Sequence, residues 1–177
     1  TDLGTGKRIN SINGNTLTEN YNSNTYDALA FVEVETENIA HSGRVFVSDR
    51  FTNQTTKNYA FNFPNIISSQ AIKIWTNVVA VSGTSSIMQI SEGSNIRNIN
   101  LSPLQQETQG IFSHGMPQEA TFLFTNPSSN YTLNYIYQTN DFSGKAFLDF
   151  INLQGEQIHF NYSIPNKNQL FYLSNAI

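Results

Sequence analysis

Side chains able to do acid–base or nucleophilic chemistry are few and scattered in this chain. The three histidines are His41, His114 and His159. No second histidine stands at metal-ligand spacing, so His41 and His159 each read as a structural or solvated residue, and His114 with Ser113 as a loop pair. Gly110-Ile-Phe-Ser-His-Gly115 brings Ser113 beside His114, but a hydrolase elbow needs Gly-x-Ser-x-Gly on a strand-to-helix turn, and this spacing differs. Glu33 and Glu35 share one face of an expected strand, as a glycosidase pair would, yet simple alternation also puts polar residues there. Gly4-Thr-Gly6-Lys7-Arg8 lacks the gap and the flanking strand and helix of a phosphate loop. The absence of cysteine removes disulfides, thiolate metal sites and a cysteine nucleophile from this chain. These patterns assign no catalytic, cofactor-binding or metal residue. Trp75, Tyr131, Tyr135 and Tyr137 could stack on a sugar face, although at strand spacing core packing is the simpler use.

The elements that must position these residues read as strands. Gln70 to Val81 is the longest such run, and alternation splits it into two rows. Ile72, Ile74, Thr76, Val78 and Ala80 form a row fit for burial. Ala71, Lys73, Trp75, Asn77, Val79 and Val81 form a mixed row that faces solvent in part or takes Trp75 into a separate apolar cluster. Gly83 breaks the run, and Ser85 to Ser91 reads as the returning arm of a β-hairpin around which the rest packs. Asp27 to Glu35 places Leu29 and Phe31 on one side and Ala28, Ala30, Val32 and Val34 on the other. Arg44 to Val47 is a short strand. Lys57 to Phe63 puts Tyr59, Phe61 and Phe63 on one face, and Pro64 ends it.

Ile96 to Leu101, Ala120 to Thr125, Tyr131 to Gln138, Lys145 to Leu153, Glu156 to Tyr162 and Gln169 to Leu173 are the remaining strands, with Gln154-Gly155 taken as a turn. Residues 1–24 read as a loop or edge ribbon, and Ser102 to Gln118 as the longest loop. No segment keeps a helical period. About ten short strands imply an all-β chain, an antiparallel β-sandwich of jelly-roll or related topology.

A chain of 177 residues suits a single domain, here 1–177. Its charged fraction of 12% is about half the usual quarter, the polar surface coming from Asn, Ser, Thr and Gln, which suits an extracellular β-protein. A net charge of −4 without a Lys/Arg cluster argues against nucleic acid as partner. No apolar run approaches the roughly 18 residues of a membrane span. The opening Thr-Asp-Leu-Gly-Thr-Gly does not read as a natural start, so a piece of a longer chain is expected.

Three stretches carry a family resemblance: Gly6-Lys7-Arg8-Ile9; Ser42 to Phe51 with Phe61-Asn-Phe-Pro-Asn-Ile66; and Phe147-Leu-Asp-Phe-Ile-Asn-Leu153. Together they resemble the β-sandwich region ahead of the gingipain-type cysteine peptidase domain in type IX secretion system sortases, the PorU-like proteins of Bacteroidetes. The ending Phe171 to Ile177 is similar to the strand leading toward that peptidase domain. The resemblance implies a non-catalytic accessory domain on a secreted or outer-membrane cell-surface protein. Its expected partners are the peptidase domain of the same chain, secreted cargo or outer-membrane secretion components. No cofactor is implied, and the family's Cys and His cannot be carried onto this sequence.

The expected roles are structural. Gly43 permits a turn closed to other residues, and Arg44 pairs with Asp49 or Glu37. Asp149, between Leu148 and Phe150, needs a partner such as Arg44 or Lys7 if buried. Trp75 is the residue whose placement separates core from platform. A carbohydrate-binding module is the alternative reading, and it needs an exposed aromatic surface.

Overall fold

The computed structural model describes residues 25–39, 46–104 and 114–158, which fall within one compact unit, Thr25–His159. Ten strands occupy these residues: β1 (Thr25–Glu33), β2 (Glu37–Asn38), β3 (Phe46–Thr52), β4 (Thr56–Asn62), β5 (Ile72–Val81), β6 (Ser86–Glu92), β7 (Asn95–Leu101), β8 (Met116–Phe124), β9 (Asn130–Thr139) and β10 (Lys145–Ile158). They make two antiparallel sheets. One has the order β2-β3-β10-β5-β8 with β1 also paired to β10, and the other has the order β4-β9-β6-β7. From β3 to β10 the chain passes between the sheets at every connection except the β6–β7 hairpin, the strand order of a jelly roll.

Alternation builds the core. The row Ile72, Ile74, Thr76, Val78 and Ala80 is fully buried. It meets Tyr59, Phe61 and Phe63 of the β4 segment and Tyr131, Leu133, Tyr135 and Tyr137 of β9 in one continuous cluster. Each such side chain taken out of water contributes roughly 1.5–3 kcal/mol, so this interface dominates the stability of the sandwich. A smaller cluster of Val47, Val79 and Phe147, with Ile39 and Val81 beside it, forms around the second row of β5.

The structure differs from two expectations. The strand Gln70 to Val81 and the run Ser85 to Ser91 do not form a hairpin. β5 pairs with β10 and β8, whereas β6 pairs with β7 and β9 in the opposite sheet. Ser82, Gly83 and Thr84 turn a corner between sheets, held by Ser82 Oγ donating to Thr84 O at 2.9 Å. The segments around Gln154-Gly155 are likewise one strand of 14 residues. Gly155 stands opposite Ala28, and a Cβ on it would come within 2.8 Å of Ile66 Cδ1. The glycine therefore serves close packing rather than a turn.

β10 holds the larger sheet together because its length lets two strands share one side. Lys145 to Leu148 pair with β3, and Phe150 to Ile158 with β1. The hand-over occurs at bulges that leave Asp149 without a partner on β5 and Asp49 without one on β10. Ser48 Oγ donates to Leu148 O at 3.2 Å and Thr76 Oγ1 to Phe150 O at 2.7 Å. Two buried hydroxyls thus bond the carbonyls on either side of the irregularity, which is why polar residues are tolerated there.

Candidate functional site

The broadest candidate surface is the outer face of the larger sheet. Alternation turns Ala28, Ala30 and Val32 of β1 toward the core, so Leu29 and Phe31 point outward. The register then aligns Phe31, Asn152, Trp75 and Thr121 in one transverse row, and Leu29, Gln154, Lys73 and Leu123 in the next. A third row holds Glu33, Phe150, Asn77 and Glu119. Leu29 is 76% exposed, Phe31 72%, Leu123 59% and Trp75 42%. The Trp75 ring stands edge-on to Phe150 with centroids 4.8 Å apart, and its Nε1–H points to Glu119 Oε2 at 3.4 Å. An edge-to-face pair of this kind orients the indole while leaving much of it in water.

The polar constellations have structural duties. Asp49, with φ of 31° at its bulge, receives Lys57 Nζ at 2.6 Å and Tyr59 Oη at 2.7 Å from the facing sheet. Burial alone would raise this carboxyl, but the bonds from Lys57 and Tyr59 and the Lys57 charge outweigh it and hold Asp49 below the usual carboxylate range. Burial pushes the Tyr59 hydroxyl up, and its bond to the Asp49 carboxylate adds to the effect. Asp149 accepts from Asn77 Nδ2 at 2.9 Å.

At the other end, Asp141 of the β9–β10 corner accepts from Gly83 N at 2.6 Å, Ser143 N at 2.9 Å and Ser143 Oγ at 2.8 Å. One carboxylate so clasps two corners. Led by the Gly83 N–H, these donors hold it down to about 2.

The sequence-level candidates separate accordingly. Asp49 has Lys57 and Tyr59 as its partners; Arg44, expected to pair with it, lies outside the described residues with Gly43, Lys7, His41, Ser113 and His159. His114 is exposed just before β8. Glu33 ends β1, so Glu35 falls beyond the strand and the two are not a strand pair. Tyr131, Tyr135 and Tyr137 are buried and offer no platform, which leaves Trp75 alone among the four suggested rings at the surface. The residue pattern does not mark Leu29, Phe31 and Leu123 as site residues. The signal in the sequence is only that Leu29 and Phe31 share one face and a row dominated by alanine the other. Among the described residues no group of three His, Asp or Glu converges as a metal site.

No protein-family model and no curated protein sequence matches the chain. Solved structures do. The sandwich is similar to part of dimeric latent PorU from Porphyromonas gingivalis. The likeness has a TM-score of 0.62 and 18% identity over 77% of this chain and 13% of that one. At this identity it establishes a PorU-like fold, and the chain spans only a small part of PorU. An insecticidal delta-endotoxin of Bacillus thuringiensis follows at 15% identity and TM-score 0.48, covering 70% of this chain and 22% of that one. A carbohydrate-binding module, CBM36, solved in complex with calcium and xylotriose, has 13% identity and TM-score 0.45, covering 73% of this chain and 98% of that one. These two similarities are too weak to carry a functional argument.

Proposed function

We propose that this chain is a non-catalytic accessory β-sandwich of a sortase-like cysteine protease of the type IX secretion system, displayed on a secreted or outer-membrane surface. The observation that carries the reading is the PorU-like fold over 77% of the chain. The sandwich supports or orients the peptidase domain, or engages cargo or an outer-membrane partner. The polar clusters at Asp49 and Asp141 fit that role, because their carboxylates are occupied by internal donors that stiffen bulges and corners.

Reading the parent gene beyond the codons for Thr1 and Ile177 tests this directly. A downstream open frame encoding a peptidase domain with Cys and His is expected; a stop codon next to Ile177 would sink the proposal. The isolated chain is expected to cleave no peptide, and turnover lost on Ser113→Ala or His114→Ala would overturn that. The alternative of a carbohydrate-binding module rests on the exposed ring of Trp75. Glycan-array binding abolished by Trp75→Ala would favour it, and a silent array would remove it.

A further inference from the structure

The outer face of the larger sheet carries more apolar surface than its own fold uses. Strand β1 is already held by Ala28, Ala30 and Val32 against the core and by nine residues in register with β10. Leu29 and Phe31 nevertheless lie mostly in water, Phe31 in one transverse row with Trp75 across Asn152, and Leu29 in the next row with Leu123 across Gln154 and Lys73. A solvated face of an antiparallel sheet ordinarily reads polar. Exposed aromatic and aliphatic side chains grouped on one face, with a polar border, are the composition of a protein interface centre.

The border has a sign. Asp27 stands directly opposite Glu156 at one end of the strip, and Glu33 and Glu119 share the row that closes the other end. Lys73 is the cation within these rows. Like charges facing each other across strands cost stability. Among the described residues the ion pair Lys57–Asp49 lies elsewhere and relieves none of these four acids. A second copy of the chain is a poor occupant, because both ends of the strip are acidic and either orientation of a two-fold contact would set carboxylates against carboxylates.

We propose that this face docks a different protein, one whose contact surface has an apolar centre bordered by lysine or arginine. Phe31, Trp75 and Leu123 fill its apolar centre, while Asp27, Glu156, Glu33 and Glu119 meet its cations. Complementary borders of this kind set specificity and make association salt-dependent. The proposal stands apart from the reading as a secretion-system domain, since it rests on the face alone.

Trp75 is the sole tryptophan of the chain, so its emission reports occupancy of the face. A phage-displayed library of random peptides is selected on the whole chain, with a Phe31→Ser/Leu123→Ser variant as counter-selection. The leading peptide is then synthesised and titrated by Trp75 emission. The expected result is enrichment of peptides combining Leu, Phe or Trp with Lys or Arg. Their binding should blue-shift the emission, weaken tenfold or more in the double variant, and weaken again as salt is raised. Thermal melting of the variant should match the parent chain, which separates loss of docking from loss of fold. Peptides that are acidic, that bind the variant equally, or that fail to emerge would overturn the proposal. So would self-association in sedimentation that vanishes in the variant, because the occupant would then be a second copy.

Discussion

The two outer faces of the sandwich solve the same problem differently. On the smaller sheet the outward rows run Asn98, Gln89, Ile136 and Thr56, then Ile96, Ser91, Asn134 and Asn58. Apart from Ile136 and the exposed Ile96, carboxamides and hydroxyls make up these rows, neither of which carries a charge, and some bond one another, as Gln89 Nε2 does to Asn98 Oδ1 at 3.4 Å. On the larger sheet the wet face combines bare apolar side chains with carboxylates. Uncharged amides suffice to solubilise a sheet of this sandwich. The acids and exposed apolar side chains of the other face go beyond that, and the proposed docking rests on them.

The largest expected effect separates the two sides of the larger sheet itself. Leu153 is buried on the inner side of β10, and Leu153→Ala should cost about 2–5 kcal/mol in urea unfolding through lost burial and a residual cavity. Phe31→Ser on the outer side should stay within about 0.5 kcal/mol. A comparable loss at Phe31 would mean that the strip belongs to the fold. Gly155→Val probes how closely that inner side is packed. A Cβ there already crowds Ile66, so a drop of about 1–3 kcal/mol by the same assay is expected from overpacking.

Thr76→Val tests the bulge that underlies the outer face near Phe150. Removing the hydroxyl that bonds Phe150 O should cost about 1–2 kcal/mol; an unchanged midpoint would show that the carbonyl is satisfied without it.

The smallest effect concerns acid. The Asp141 carboxyl is held at about 2 in the folded chain, below the unfolded value near 3.9. Its contribution is therefore present at neutral pH and is lost as pH falls from that unfolded value through about 2. Asp141→Asn should lower the melting temperature slightly at pH 7, and the gap from the parent chain should close in melts toward pH 2. A gap that widens in acid would refute the clasp.

Much of the fold was legible in the residues. The rows Ile72 to Ala80 and Tyr59, Phe61 and Phe63 alternate so regularly that their burial follows from period-two geometry alone. The candidate surface was only half legible. Trp75 stood out in a mixed row, and Leu29 with Phe31 was separated from the alanines, but pattern alone would turn the larger side chains inward. The structure does the reverse because the interior behind β1 is narrow: Ala28 faces Gly155, whose missing Cβ already makes room for Ile66. Pairing of Asp49 with Lys57 was equally beyond the sequence, since the two meet across sheets.

The sequence by itself determined an all-β sandwich, the positions of most strands and which face of the longest central strand is buried, because these depend on local alternation and turn chemistry. Only the tertiary structure decided which sheet each strand joins. Gly83 and its neighbours specify that the chain turns, but a hairpin and a corner between sheets begin with the same residues. What distinguishes them is the competition of β10, β8 and β9 for partners distant along the chain, and the same competition decides which face is left outside.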